Sequence, residues 1–494
     1  MISLRSPRVW PAIFIFVSAF ALYFFTRSPG LDEWDSVQFA MGINDFDLWR
    51  HRPHPPGYPL FIFLGWAGHT LFHWSPEFSL HVVSCLGGAL FVSAWFLITR
   101  IQFNAVFAWI MASTLAITPI VWMTTTKVLS DSLAAGLLSV ELLCGLGYLR
   151  SGKTRDLIFT AISGAAAAGA RPQIIPVAII ILLIALWQRR PSWKTWLAGL
   201  GTLIFGCWLW LLPMSYLQWK LRPDLAWWQV YPALIYKQWQ WRLDKPVAYI
   251  GAGGWNLSSL RQRFVDHIVA WFEIGFGFSQ STTARSIGIV LILAGLAAYF
   301  FRRERGAQFW RIHIWWAVLS VLLVFCFLPW DQRYYLSIFP LLLILFAAAL
   351  FRLPQPWRWL VLGWPLLFLW ISLPLAIANH SDEAPPVQMI RYLQMLHSPA
   401  ERGNILLVLR WNGRHAQWYG ADFAMRFDVA SLSELNPILP KARVIYTDDR
   451  NLDVGLGRRL TLLKTFERSE LISPKHDVVE LYRVDVRDEI NRSP

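Results

Sequence analysis

The chain has 494 residues, of which 55% are hydrophobic and 15% charged, with a formal net charge of +14. Apolar runs about as long as a hydrocarbon core is thick recur through its first three quarters, which excludes a soluble globular class and defines a polytopic helical membrane protein. The basic residues sit in short clusters between those runs, where they orient spans and adjoin anionic lipid, so they do not point to nucleic acid.

The 30 Trp and 33 Phe suit interfacial belts and lipid-facing packing better than stacked bases. Cys85, Cys144, Cys207 and Cys326 all lie in apolar segments without CxxC spacing, so neither a disulfide framework nor a zinc site is expected.

Taken in order, the spans fall at 9–26, 79–99, 104–123, 129–149, 157–170, 173–188, 195–216, 284–301, 311–329, 334–351 and 358–378, about eleven by the length rule. Arg5 and Arg8 before Val9–Phe25 imitate a signal peptide, but the small-x-small pattern Ala19-Phe20-Ala21 lies inside the apolar run, so this segment counts as the first span. Residues 57–74 resemble a further span, yet Pro55, Pro56, Gly57 and Pro59 break their entry. If they are re-entrant or interfacial, Arg100, Arg150/Lys153/Arg155, Arg189/Arg190/Lys194, Arg302/Arg303/Arg305/Arg311 and Arg352/Arg358 all share the cytoplasmic side with the N-terminus.

The same parity places Leu31–Leu60, Thr124–Asp131, Arg171, Lys220–Gln280, Trp330–Arg333 and the tail from Asn379 on the outer face. The expected division is a transmembrane domain 1–378, with a first outer loop 27–78 and a long outer loop 217–282, followed by an extracytoplasmic α/β domain 379–494. In the tail, 404–410, 442–447 and 478–484 read as strands, with a helix near 457–466. The tail has no GxGxxG, P-loop or metal pattern, so packing or acceptor docking is its expected role. The long outer loop, rich in Trp and Tyr, reads as a lid or an interfacial belt, with a helix around Leu257–Phe276.

Chemistry concentrates in Leu31–Leu60. Asp32, Glu33, Asp35, Asp45 and Asp47 stand there beside Arg50, His51, Arg52 and His54, next to a membrane, where ionisable groups are costly unless they serve a function. Ser36–Trp49 has near-helical apolar spacing, with Asp35 as the expected N-cap; capping is the alternative role for that residue. A carboxylate beside several cations suits transfer from an anionic lipid-linked donor: the acid takes a proton from an incoming hydroxyl while cations stabilise the departing phosphate. Asp35, Asp32 and Glu33 supply the acid, and His54, Arg171, Arg333 and Lys127 the donor-phosphate or substrate side. Arg171 lies between apolar segments, so an internal acid or the donor phosphate must answer it; Asp131 reads as a cap.

WDSVQFA at 34–40 and HPPGYPLF at 54–61 resemble the first outer loop of the GT-C glycosyltransferases, particularly the protein O-mannosyltransferase-like and aminoarabinose-transferase-like branches. KVLSDSL at 127–133, GARPQ at 169–173 and RYYLSIFP at 333–340 resemble span boundaries of the same family. The resemblance implies a many-span helical core, a polyprenyl-phosphate sugar as donor, action on the extracytoplasmic side and a first-loop aspartate as base. Asp35 matches through Phe39 and Ala40, whereas Asp32-Glu33 imitates the family's Asp-Glu pair, so both assignments stand.

The reading is an inverting hexosyl or pentosyl transferase in a bacterial inner membrane, acting on a protein, lipid or polysaccharide hydroxyl. Membrane lipids and the donor are its expected partners. No metal is assigned: the acids cluster locally, although some relatives with other first-loop acids use a divalent ion. A transporter or flippase of a lipid-linked saccharide is the alternative, but it would distribute polar residues through several spans. An inactive envelope scaffold would leave the first-loop acids replaceable.

Overall fold

The computed structural model describes residues 9–244, 257–301, 318, 332–410, 412–427, 429, 431–435, 444–455, 458–472 and 477–486. They form two compact units, one comprising 1–27 and 42–377 and the other 28–41 and 378–494.

The first unit is a helical bundle. Its helices are α1 (Val9–Phe25), α2 (Trp34–Asn44, shared with the second unit), α3 (Pro59–Phe72), α4 (Pro76–Gln102), α5 (Ala105–Ala116), α6 (Pro119–Thr125), α7 (Ser130–Ser151), α8 (Thr154–Ala170), α9 (Ile175–Arg189), α10 (Trp193–Leu221), α11 (Trp227–Asp244), α12 (Leu257–Ile268), α13 (Thr282–Phe301), α14 (Phe339–Phe351) and α15 (Gly363–Ser381). Among the described residues, five stretches are long and apolar enough to cross a membrane, and the α5–α6 pair makes up to six. Four shorter apolar helices, α1, α3, α14 and the apolar part of α13, accompany them.

Proline sets several boundaries. Pro59, Pro76 and Pro119 open α3, α4 and α6, where the missing N–H costs nothing. The expected continuous span 104–123 is instead broken, with α5 and α6 meeting at 56°, because Pro119 disfavours helical geometry at Thr118. The span expected at 311–329, apart from Val318, and the glycines Gly251, Gly253 and Gly254 lie outside the described residues. Leu257–Phe276 is helical as expected, although Val269–Gly275 widens into a π-turn.

In a lipid setting helices gain by close van der Waals contact rather than by expelling water, so small residues mark their interfaces. A Cβ on Gly87 would stand 2.4 Å from the Leu133 backbone, and one on Gly136 would stand 2.5 Å from the Gly87 carbonyl, so α4 and α7 touch backbone to backbone. The Ala/Gly-rich α8 is gripped similarly: Trp210 of α10 donates from its indole nitrogen to the Ala165 carbonyl at 3.1 Å.

The second unit carries a mixed five-stranded sheet in the order β2-β1-β3-β5-β4. Its strands are β1 (Ile405–Leu409), β2 (Ala424–Phe427), β3 (Val444–Thr447), β4 (Arg458–Glu467) and β5 (Val478–Val486), and the helices α16 (Pro385–Leu396) and α17 (Gly413–Tyr419) accompany them. β1 pairs in parallel with β2 and β3; β5 pairs antiparallel with β3 and β4. Three expected strands are present, but the expected helix at 457–466 is β4. Leu460, Thr461, Thr465 and Phe466 are paired with Val484, Arg483, Glu480 and Val479 of β5, and this ladder outweighs the local helical spacing.

The first-loop segment of this unit is tied to the sheet domain. The Leu31 N–H donates to the Tyr419 hydroxyl at 2.9 Å. Asp32 and Arg468 form an ion pair at 3.2 Å with side chains only 1% and 2% exposed. The same guanidinium donates to the carbonyl and side-chain oxygens of Asn379 at 2.9 and 3.2 Å. Removing one member of a buried pair strands the other charge, at about 3–5 kcal/mol, whereas replacing both with apolar groups is far milder. Arg468→Met is therefore expected to lower the thermal stability of this unit sharply, and Asp32→Leu/Arg468→Met to recover most of the loss, as read by thermal unfolding of the purified protein.

Candidate active site

Among the described residues of the first unit, buried charge gathers at the end of the bundle where α8 finishes and α7 begins. α8 stops because Pro172 forces Arg171 into an extended backbone. The Arg171 Nη1 donates to Asp131 Oδ2 at 2.8 Å and to Ser130 Oγ at 3.3 Å, with the side chains of the ion pair 7% and 3% exposed. An internal acid thus answers Arg171, and Asp131, expected as a cap, is its counter-ion.

Aromatic rings complete the surroundings. The Arg171 guanidinium lies 4.7 Å from the Tyr334 ring centre and 5.9 Å from that of Tyr58. The Tyr58 hydroxyl is 2.7 Å from His54 Nε2 and accepts from the Gln173 amide at 2.9 Å. Arg333, adjacent to Tyr334, is buried and close enough to Arg171 for the two positive charges to oppose one another. Lys127, also buried, stands three residues before Ser130 in the turn that Ser84 pins: its hydroxyl donates to the Leu129 carbonyl at 3.1 Å and accepts from the Leu129 N–H at 3.2 Å. The structure therefore brings His54, Arg171 and Arg333 together around Tyr58 and Tyr334, with Lys127 on the neighbouring turn.

The loop leading to His54 is held rigidly. Asp47 and Arg52 exchange backbone hydrogen bonds at 2.8 Å, and Asp47 Oδ1 accepts from the N–H groups of Trp49 and Arg50. The Gln218 side chain takes the Leu48 N–H at 2.9 Å and donates to the Phe46 carbonyl at 2.8 Å. Gly57 and Tyr58 then turn the chain through positive φ, 109° and 52°, into α3. At Gly57 a Cβ would also meet the Met214 sulfur at 2.6 Å, so only glycine fits.

In the second unit the acids separate into distinct settings. The helix expected over 36–49 runs instead from Trp34 to Asn44 and ends before the Asp47–Arg52 bridge. The Glu33 carbonyl accepts the Val37 N–H at 3.2 Å, so Glu33 occupies the cap position and Asp35 lies within the first turn, correcting the expected cap. Asp32 is paired with Arg468, Glu33 is buried, and Asp35 is part-exposed.

Several residues are added by the structure. Tyr58, Gln173 and Tyr334 complete the basic cluster, and each lies inside a motif of the sequence, HPPGYPLF, GARPQ and RYYLSIFP respectively, that assigns it no role of its own. Tyr335 bonds His267 of α12 at 2.6 Å. Glu141, halfway along α7, is fully buried without a hydrogen-bond partner for either oxygen, facing Gly164 of α8. Among the described residues, no group of three or more His, Cys, Asp or Glu side chains is placed to hold a metal.

The fold is of GT-C type. ArnT from Cupriavidus metallidurans bound to undecaprenyl phosphate aligns over 96% of this chain and 98% of its own, with a TM-score of 0.57 at 12% identity. Its apo form aligns over 97% and 98%, with a TM-score of 0.55 at 12% identity. The family model described as dolichyl-phosphate-mannose-protein mannosyltransferase matches residues 53–216, which carry His54, Lys127 and Arg171. No curated protein gives a significant match. The resemblance carried by the first-loop motifs thus extends to the whole architecture: a helical membrane protein of GT-C type with a small C-terminal sheet domain.

Because Arg171 and Asp131 are each buried against the other, Arg171→Met is expected to cost about 3–5 kcal/mol of stability. Arg171→Met/Asp131→Leu is expected to restore most of it, and unfolding in detergent by intrinsic fluorescence measures both.

Proposed function

We propose that this chain is a membrane glycosyltransferase that moves a sugar from a polyprenyl phosphate to a hydroxyl acceptor on the extracytoplasmic face. The observation that carries the reading is the buried basic cluster at one end of a GT-C bundle. Basic side chains held at a membrane boundary by a fixed aromatic and amide frame suit a lipid-borne phosphate, which supplies both the negative charge and the apolar tail. The undecaprenyl phosphate bound by ArnT supports the donor class.

In this reading Arg333, Lys127 and His54 bind the donor phosphate, and Arg171, held by Asp131, fixes the helix ends that frame it. Asp35 is the favoured base, because Asp32 is committed to Arg468 and Glu33 is buried at the cap position of α2. The acceptor O–H proton passes to the Asp35 carboxylate as the oxygen attacks the anomeric carbon. The sugar–phosphate C–O bond breaks on the opposite side, its electron pair leaves with the polyprenyl phosphate, and this single displacement inverts the anomeric centre. Cations aimed at the leaving phosphate help most where its charge grows.

Transfer kinetics of the purified protein with polyprenyl-phosphate sugars test these roles. General-base catalysis is worth about 10²–10⁴-fold, so Asp35→Asn is expected to lose at least about a hundredfold in kcat with donor binding retained. Asp32→Asn is expected to lose stability while the folded fraction turns over at close to the parental rate. Parental kcat in Asp35→Asn would remove it as the base, and loss of kcat in fully folded Asp32→Asn would transfer the role to Asp32.

A further inference from the structure

At the opposite end of the first unit, α4 and α7 finish, α8 begins, and α9 turns into α10. Arg189 donates to the Arg150 carbonyl at 2.7 Å, and Arg150 donates to the Ile101 carbonyl at 3.2 Å, so three helix ends are laced together by basic side chains. The α9–α10 corner, Trp187-Gln188-Arg189-Arg190-Pro191-Ser192-Trp193-Lys194-Thr195-Trp196, contains three cations and no acid.

Trp187, Arg190, Pro191 and Trp196 line a recess of about 310 Å³. The corner is unusual for a solvent-facing one: Trp187 at the recess is 72% exposed, and Trp193 on the following turn is 70% exposed. Large indole rings left uncovered beside cations at the end of apolar helices match the boundary between lipid head groups and acyl chains. Arg190 also closes α9 in the left-handed conformation, with φ 45° and its N–H donating to the Leu186 carbonyl at 2.9 Å. Glycine commonly fills such a cap, so an arginine there accepts backbone strain to place a cationic side chain at the recess.

We propose that this corner is a binding site for an anionic phospholipid, distinct from the donor site at the other end of the bundle. Arg190 and Lys194 hold the head-group phosphate, and the recess between Trp187 and Trp196 receives the glycerol and the start of an acyl chain. Two positive charges select an anionic over a zwitterionic lipid. The aromatic walls give a lipid an advantage over a free phosphate ion, which has nothing to place against them.

The test is lipid retention by the purified full-length protein, counted by native mass spectrometry after exchange into phosphatidylcholine nanodiscs with or without phosphatidylglycerol. Phosphatidylglycerol is expected to be retained selectively and to raise the unfolding temperature. Arg190→Gly, which relieves the backbone strain and keeps the fold, and Arg190→Gly/Lys194→Gln are expected to weaken retention progressively. The double variant should lose about thirtyfold, the effect of two basic residues near an anionic surface. An Arg285→Gln control, carrying its change outside this corner, is expected to behave as the parent. Retention by the folded double variant equal to that of the parent, or equal retention of both lipids, would overturn the site. Displacement of the lipid by millimolar inorganic phosphate would replace the lipid by a phosphate ion as its occupant and overturn the proposal.

Discussion

A guanidinium buried at the end of a helix in an apolar bundle has to be answered, and the Arg171–Asp131 contact at 2.8 Å answers it. Pro172 ends α8 at the residue that makes the pair, and Asp131 lies in the first turn of α7. The pair thereby joins the two helices at the end of the bundle where Lys127, Tyr58, Tyr334 and Arg333 gather. Close packing along the helices makes this possible: Gly87 and Gly136 bring α4 and α7 into backbone contact, and Ser84 of α4 pins the turn that carries Lys127. The Asp131 contact fixes the position of the Arg171 guanidinium.

The first-loop acids divide along similar lines. A carboxylate paired with an equally buried arginine, as Asp32 is with Arg468, is poorly suited to exchange protons during a catalytic cycle. Proton transfer needs a group that an acceptor hydroxyl can approach, and Asp35 is part-exposed in the first turn of α2, where the helix dipole favours negative charge. Three neighbouring acids thus have three different settings, and only their surroundings distinguish them.

Much of the architecture was legible in the sequence because lipid imposes a length and prolines mark the ends. Arg100, Arg150 and Arg189 were read as lying on one side, and Arg189 and Arg150 do meet at one end of the bundle. The same reasoning required either an internal acid or the donor phosphate to answer Arg171 but did not choose Asp131, since forty residues separate them and only the α7–α8 packing joins them. The partner of Asp32 was beyond reach for the same reason: Arg468 lies in a different part of the chain, just after β4, a strand whose local spacing reads as helix until its pairing with β5 is known. Glu141 was passed over inside an apolar run, because one acid hardly changes the composition of a span.

The proposed function requires donor cleavage rather than movement of an intact lipid-linked sugar. The most direct measurement is the fate of a radiolabelled polyprenyl-phosphate sugar incubated with the purified parent protein in proteoliposomes containing hydroxyl acceptors. The account predicts that the sugar appears on the acceptor with inverted anomeric configuration while free polyprenyl phosphate accumulates in equal amount. Recovery of the donor intact on the opposite leaflet, with no polyprenyl phosphate released, would contradict it.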